Sequence, residues 1–153
     1  MISGISRPKR LWVAALMNIL VATTSVFAVA FLLLTSNPNI QEAIKLGLQA
    51  TLLTLGTSVL LIVASILALL RIQSARWLML GAALIFFGLL GYQSIALISS
   101  QGASLPHELV LKLWANIVRN SLEIIINAWA LLSTTTAIYF SNNTLTHPSS
   151  GTR

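Results

Sequence analysis

The chain contains no cysteine in 153 residues, only three acidic residues, and only four prolines. Without cysteine it can form no disulfide, no thiol nucleophile, no thiolate-held zinc and no iron–sulfur cluster. Charged residues make up 8% of the sequence, against about 25% in a soluble domain. Nine Lys/Arg, three Asp/Glu and two His cannot cover the surface of a water-soluble globule of this length. A soluble enzyme, a disordered tail and a nucleic-acid-binding domain are excluded on composition. With 56% hydrophobic residues, the chain is expected to be an all-α, polytopic membrane protein.

Catalytic constellations are missing as well. His107 and His147 are expected on opposite sides of a membrane, so they cannot form a metal-ligating pair. Glu123 has no second acid near it, and no glycine loop is built to cradle a phosphate. No metal, no cofactor and no enzymatic activity are expected. The net charge of +6 does not imply nucleic acid, because the cations sit in short clusters beside apolar runs, the pattern that orients a membrane protein.

Three runs lack any charge: Leu11–Leu34, Leu46–Leu70 and Trp77–Ile98, of 24, 25 and 22 residues. A fourth, Ser121–Phe140, carries Glu123 and Asn127 but is otherwise apolar. A hydrocarbon core of ~30 Å needs roughly 20 helical residues, so each run can span. Backbone groups in lipid must pair within their own segment, so the runs are expected as helices. The result is a four-helix antiparallel bundle over residues 1–140, followed by a polar, disordered cytoplasmic tail over 141–153. Asn37-Pro38 and Leu105-Pro106 read as helix starts, so helices 2 and 4 are expected to extend outward to about residues 38 and 106.

Arg7, Lys9, Arg10, Arg71, Arg76 and Arg153 fall on one side, and Lys45, Lys112 and Arg119 on the other. That bias places both termini in the cytoplasm. Trp12, Trp77, Tyr139 and Phe140 mark the same interface, and Trp114 the opposite one. The sequon Asn142-Asn143-Thr144 then falls on the cytoplasmic tail. Arg7, Lys9 and Arg10 before an apolar run, with Ala28-Val29-Ala30 after it, resemble a signal peptide. The run is longer than the usual 7–15 residues, and an uncleaved first helix is the better reading. Arg10 and Arg76, Trp12 and Trp77, Glu42 and Glu108, and Lys45 and Lys112 each stand 65–67 residues apart. Two copies of one helical hairpin would produce that spacing, and so would any two hairpins of equal span.

The stretches Ser74-Ala75-Arg76-Trp77, Phe86-Phe87-Gly88 and Ile126-Asn127-Ala128-Trp129-Ala130-Leu131 resemble uncharacterised small four-helix inner-membrane proteins of bacteria. The resemblance implies a location in the bacterial inner membrane and carries no functional residue across.

Helix 4 is the most informative element. At 100° per residue, Lys112, Asn116, Arg119, Asn120, Glu123, Asn127, Ala130 and Thr134 share one stripe, with Leu122, Ile125, Trp129 and Leu132 opposite. Arg119 and Glu123, one turn apart, are expected to pair. Counting back from Phe140 along a straight helix places Glu123 roughly 25 Å from the inner boundary and Asn127 at about 20 Å. Thr23, Thr24, Ser25, Thr54, Thr57, Ser58, Tyr92, Gln93 and Ser94 fall at similar depths, whereas Asn18 and Ser65 lie deeper toward the inner face. Ser and Thr can satisfy their own backbone and pack between helices. Gln93 and Asn127 are expected to face the bundle interior, within hydrogen-bonding reach of each other or of a water held between them, and if Tyr92 or Gln93 must face lipid it is Tyr92.

The candidate ligand or ion residues are therefore Glu123, Arg119, Asn127, Gln93 and Tyr92. Intramembrane ionisable residues are functional candidates by default. A structural or regulatory membrane component is the leading expectation, with the lipid bilayer, a second copy or another membrane protein as partners and no nucleic acid. A small oligomeric secondary carrier with Glu123 as its proton or cation site is the alternative.

Overall fold

The computed structural model of the chain describes residues 8–34, 48–72, 74–101 and 104–141. Expectations that concern Arg7, Glu42, Lys45, the outward extension of helix 2, the sequon and the tail lie outside those residues. The protein is all-α, with helices α1 (Lys9–Leu34), α2 (Leu48–Leu69), α3 (Ala75–Gln101), α4 (His107–Leu132) and α5 (Thr134–Ser141). Three helices are long and apolar enough to cross a membrane, and α4 with α5 makes a fourth span if the bent pair counts as one. The chain is thus a multi-pass membrane protein, its helices packed antiparallel.

Successive helices lie side by side, α1 on α2, α2 on α3 and α3 on α4, and α1 meets α4 over a shorter stretch. Small residues make this close approach possible. Ala14, Ala15 and Ala22 of α1, Ala64, Ser65 and Ala68 of α2, and Ala75, Ala82 and Ala83 of α3 are all buried. Lipid tails are as apolar as leucine, so the bundle gains little from burying large apolar groups and much from backbone proximity. Phe27, Phe31, Trp77 and Ile125 accordingly remain on the outer surface.

Burial is uneven along the bundle. Leu11, Ala68, Ala75, Met79, Leu131, Tyr139 and Phe140 are buried near the end that carries Arg10 and the α2–α3 turn; this is called the basic end below. Toward the far end, Thr24, Gly56, Gly88, Lys112 and Asn116 are exposed. Most hydroxyls in the middle of the bundle bond to their own helix: Thr54 Oγ1 donates to the Ala50 carbonyl at 2.9 Å, Thr57 Oγ1 to Leu53 at 2.8 Å, and Ser58 Oγ to Thr54 at 2.6 Å. Packing and local bonding account for that part of the polar layer, as expected of Ser and Thr in membrane helices.

The basic end is fastened by guanidinium groups. Helix α2 closes with the Ile72 amide donating to the Leu67 carbonyl at 3.3 Å and the Arg71 amide to Ala68 at 3.2 Å. This is a Schellman turn, and Arg71 occupies its left-handed position with φ 65°, where glycine is usual. A side chain there costs roughly 1–2 kcal/mol. Arg71 offsets that cost by donating from Nε to the Tyr139 carbonyl at 3.1 Å and stacking 4.5 Å from the Tyr139 ring centroid. Arg10 lies 4.2 Å from the ring centroid of Trp129, and Arg76 lies 5.3 Å from that of Trp77.

The fourth span departs from expectation. The apolar run over 121–140 reads as one straight helix, but α4 ends at Leu132, Ser133 is extended with φ −62° and ψ 143°, and α5 leaves at 53°. No proline is involved. The cause lies in the run Ser133-Thr134-Thr135-Thr136, where the Ser133 and Thr136 hydroxyls compete with backbone donors for a carbonyl of the last turn. Thr136 Oγ1 donates to the Ala130 carbonyl at 2.7 Å, and Ser133 Oγ, 2.9 Å from Thr136 Oγ1 and 3.2 Å from the same carbonyl, has one proton to give to either. Ser133 thus terminates α4 and caps α5. Thr136→Val keeps the side-chain volume but removes the buried donor. It should cost roughly 1–2 kcal/mol in a reversible detergent unfolding titration, while Thr134→Val, at an exposed position, should change stability by less than ~0.5 kcal/mol. Equal effects would show that the hydroxyl network does not hold the bend.

Candidate functional site

The stripe on α4 divides in two. Asn120, Glu123, Asn127 and Ala130 are buried, whereas Lys112, Asn116 and Arg119 are exposed. The opposite face behaves as expected: Leu122, Ile125, Trp129 and Leu132 are 51–61% exposed.

Asn127 meets α1. Asn18 Nδ2 donates to Asn127 Oδ1 at 2.7 Å, and Asn127 Nδ2 donates to Asn18 Oδ1 at 3.0 Å. Both residues are at most 1% exposed. Asn127 Nδ2 also donates to the Glu123 carbonyl, one turn back in α4, at 2.9 Å. Two carboxamides that exchange donor and acceptor satisfy each other without water, the form a polar contact must take in hydrocarbon.

This pair corrects the expectation that Asn127 faces Gln93. Gln93 Nε2 instead reaches Thr54 Oγ1 of α2 at 3.4 Å. Tyr92 is 69% exposed, as its position beside Gln93 implies. The pair also corrects the depth scale. Asn18 stands seven residues beyond Leu11, about 10 Å into the membrane at the helical rise. Its partner Asn127 shares that depth, not the 20 Å of a straight count through the bend. Glu123, one turn farther, then lies about 16 Å from the basic end, near the middle of a ~30 Å hydrocarbon core.

Glu123 is also without the cation expected for it. Arg119 is exposed, and no ion pair joins it to Glu123, which is 7% exposed. The Glu123 Oε2 atom is buried with no hydrogen-bond partner, and so are Asn120 Nδ2 and Oδ1. Side chains at i and i+4 share a helix face, but Arg119 lies where that face has left the bundle interior, and its long stem can carry the guanidinium toward the far interface. Three unsatisfied polar atoms thus stand on consecutive turns of α4, directly beyond the amide pair. Among the described residues, no group of three or more metal-ligating side chains is assembled.

Of the expected site residues, Glu123 and Asn127 lie on one buried column, Arg119 stands outside it, Gln93 joins α2 and Tyr92 faces outward. Asn18 and Asn120 complete the column and are not among the expected set. Asn120 is legible on the stripe, whereas Asn18 is concealed by the depth count.

The amide pair predicts non-additive mutations. Asn18→Leu and Asn127→Leu should each cost roughly 1–3 kcal/mol, because each strands a buried carboxamide. The double variant should cost less than the sum of the two. Strict additivity in detergent unfolding would mean that the two side chains do not interact. Arg119→Ala should lie within ~0.5 kcal/mol of the parent chain, as for a surface residue away from a packed contact.

Comparison of the chain with protein-family models, with curated proteins and with solved structures finds no match. Of the expected resemblance, the coarse architecture stands: a small helical protein with three or four candidate spans.

Proposed function

We propose that this protein is a non-enzymatic structural or regulatory component of the bacterial inner membrane, and that it works by associating with a second copy or with another membrane protein. One observation carries the reading: the polar stripe of α4 leaves the bundle and continues, exposed, through Arg119, Asn116 and Lys112. On the scale set by Asn18, Arg119 lies about 22 Å and Asn116 about 27 Å from the basic end, still within a ~30 Å core. Polar groups at that depth favour a protein surface over lipid. Another helix laid along the stripe would supply it.

The absence of cysteine makes the test direct. A benzophenone maleimide coupled to Asn116→Cys in native membranes should give a discrete protein adduct, and the same label on Ile125→Cys should give lipid adducts. An adduct of twice the chain mass identifies a second copy, and any other discrete mass identifies another protein. Lipid adducts alone from Asn116→Cys would refute association through this face.

Both termini are proposed to be cytoplasmic, since Arg10, Arg71 and Arg76 gather at one end of the bundle. A reporter that is active only in the cytoplasm, fused after Arg153, should be active. Activity of a periplasm-only reporter at that position would overturn the orientation.

A second reading is favoured by the unpartnered Glu123 Oε2 near mid-membrane: a small oligomeric secondary carrier in which Glu123 takes a proton or a cation. Secondary carriers place coupling sites at this depth. In proteoliposomes, a proton or sodium gradient should drive flux that Glu123→Gln abolishes. Equal flux from the variant and the parent would remove this reading and leave the first intact.

A further inference from the structure

Helices α3 and α4 border a groove of about 250 Å³, open to the outer surface of the bundle, that does not include Glu123. Its walls are mainly apolar, formed by Phe87, Gly91, Ile117 and Ile124. One buried polar side chain lines it: Asn120, 2% exposed, with neither Nδ2 nor Oδ1 partnered. The neighbouring Ser121 hydroxyl does not relieve it, since it donates to the Ile117 carbonyl at 2.9 Å. The α3 wall is flat, because a Cβ built on Gly88 or Gly91 would meet nothing within 4 Å. Tyr92, 69% exposed, also lines the groove and connects it with the outer surface of the bundle.

This arrangement combines a polar head and an apolar body. A carboxamide presents one donor group and one acceptor side by side, and a hydroxyl or a second carboxamide can meet both. Water is a poor occupant: an ordered buried water needs two to four polar partners, and the volume would hold about eight at ~30 Å³ each. A cation is no better served, because the carboxyl of Glu123 does not line the space. We propose that the α3–α4 groove binds a neutral amphiphile drawn from the bilayer, with a hydroxyl or carboxamide head on Asn120 and a hydrocarbon body on Phe87, Ile117 and Ile124. The proposal does not rest on association through Asn116 or on transport through Glu123.

The test uses the full chain in phosphatidylcholine nanodiscs and a diazirine-bearing long-chain alkanol as photoprobe. Labelling should be saturable, should map to peptides containing residues 87–95 and 117–124, and should be displaced by decanol but not by decane. Asn120→Leu should weaken probe binding by about tenfold, the loss expected for one buried hydrogen-bonding group. It should leave thermal stability no lower than that of the parent, since it removes an unsatisfied amide. Gly91→Leu, which fills the open space beside α3, should abolish saturable labelling even if Asn120→Leu fails to fold. Labelling that does not saturate, or that decane displaces as well as decanol does, would overturn the proposal. So would unchanged labelling in a folded Asn120→Leu or Gly91→Leu variant.

Discussion

The contact on which the rest of the bundle depends is the reciprocal amide pair between Asn18 and Asn127. Helices adjacent in sequence pack against each other through small residues, and such contacts tolerate sliding because one alanine resembles the next. The α1–α4 contact has no such tolerance. Two buried carboxamides that meet across the helices admit one register, since a shift of one residue turns each side chain by about 100° and parts the pair in hydrocarbon. An interhelical hydrogen bond in a membrane contributes only about 0.6–2 kcal/mol, so the pair acts chiefly as a selector among packings. The same logic applies to a single buried Asn that sets the register of a coiled coil.

The bend at Ser133 follows from that register. If α4 ran straight to Phe140, Asn127 would sit about 20 Å from the basic end and Asn18 about 10 Å. Turning α5 by 53° shortens its rise along the bundle from about 10 Å to about 6 Å and removes roughly 4 Å of that difference; the remainder places Phe140 about one turn beyond Leu11 at the basic end. The bend also brings Tyr139 beneath the α2–α3 turn, where its carbonyl and ring receive Arg71. One device made of hydroxyl groups thus serves two contacts, the amide pair above it and the guanidinium below.

The all-α class, the span positions and the lipid-facing side of α4 are legible in the sequence because they depend on composition and period alone. Leu122, Ile125, Trp129 and Leu132 fall on the exposed face that 100° spacing assigns to them. The site is legible only in part. Glu123, Asn127 and Asn120 share a stripe, and any helical wheel finds them. Their depth requires knowing where α4 stops, and the stop signal is neither proline nor glycine but four consecutive hydroxyl residues. Such a run reads equally well as ordinary interface packing. Missing the bend displaces Asn127 from Asn18, assigns it to Gln93 and moves Glu123 to the outer edge of the hydrocarbon, with Arg119 among the headgroups as its natural partner. The bend and the choice of Phe140 as the boundary together displace the depth count, and the exposure of Arg119 separately removes it from Glu123.

The uneven packing of the bundle gives the polar column a direction. On the basic side of Asn18 and Asn127, Leu11, Ala14, Ala15 and Leu131 close the interior, and all are at most 1% exposed. On the far side, α1 and α4 no longer cover each other, and the stripe runs from buried Asn120 to exposed Arg119 and Asn116 within two turns. Glu123 sits at the boundary between these regions. The amide pair is its floor, and Asn120, Arg119 and Asn116 continue the stripe toward the far end. The dense core thus lies on the basic side of the unsatisfied Glu123 oxygen, and the exposed part of the stripe on the other. A bundle that is tight at one end and loose at the other, with its acid at the transition, has one-sided access built into its packing.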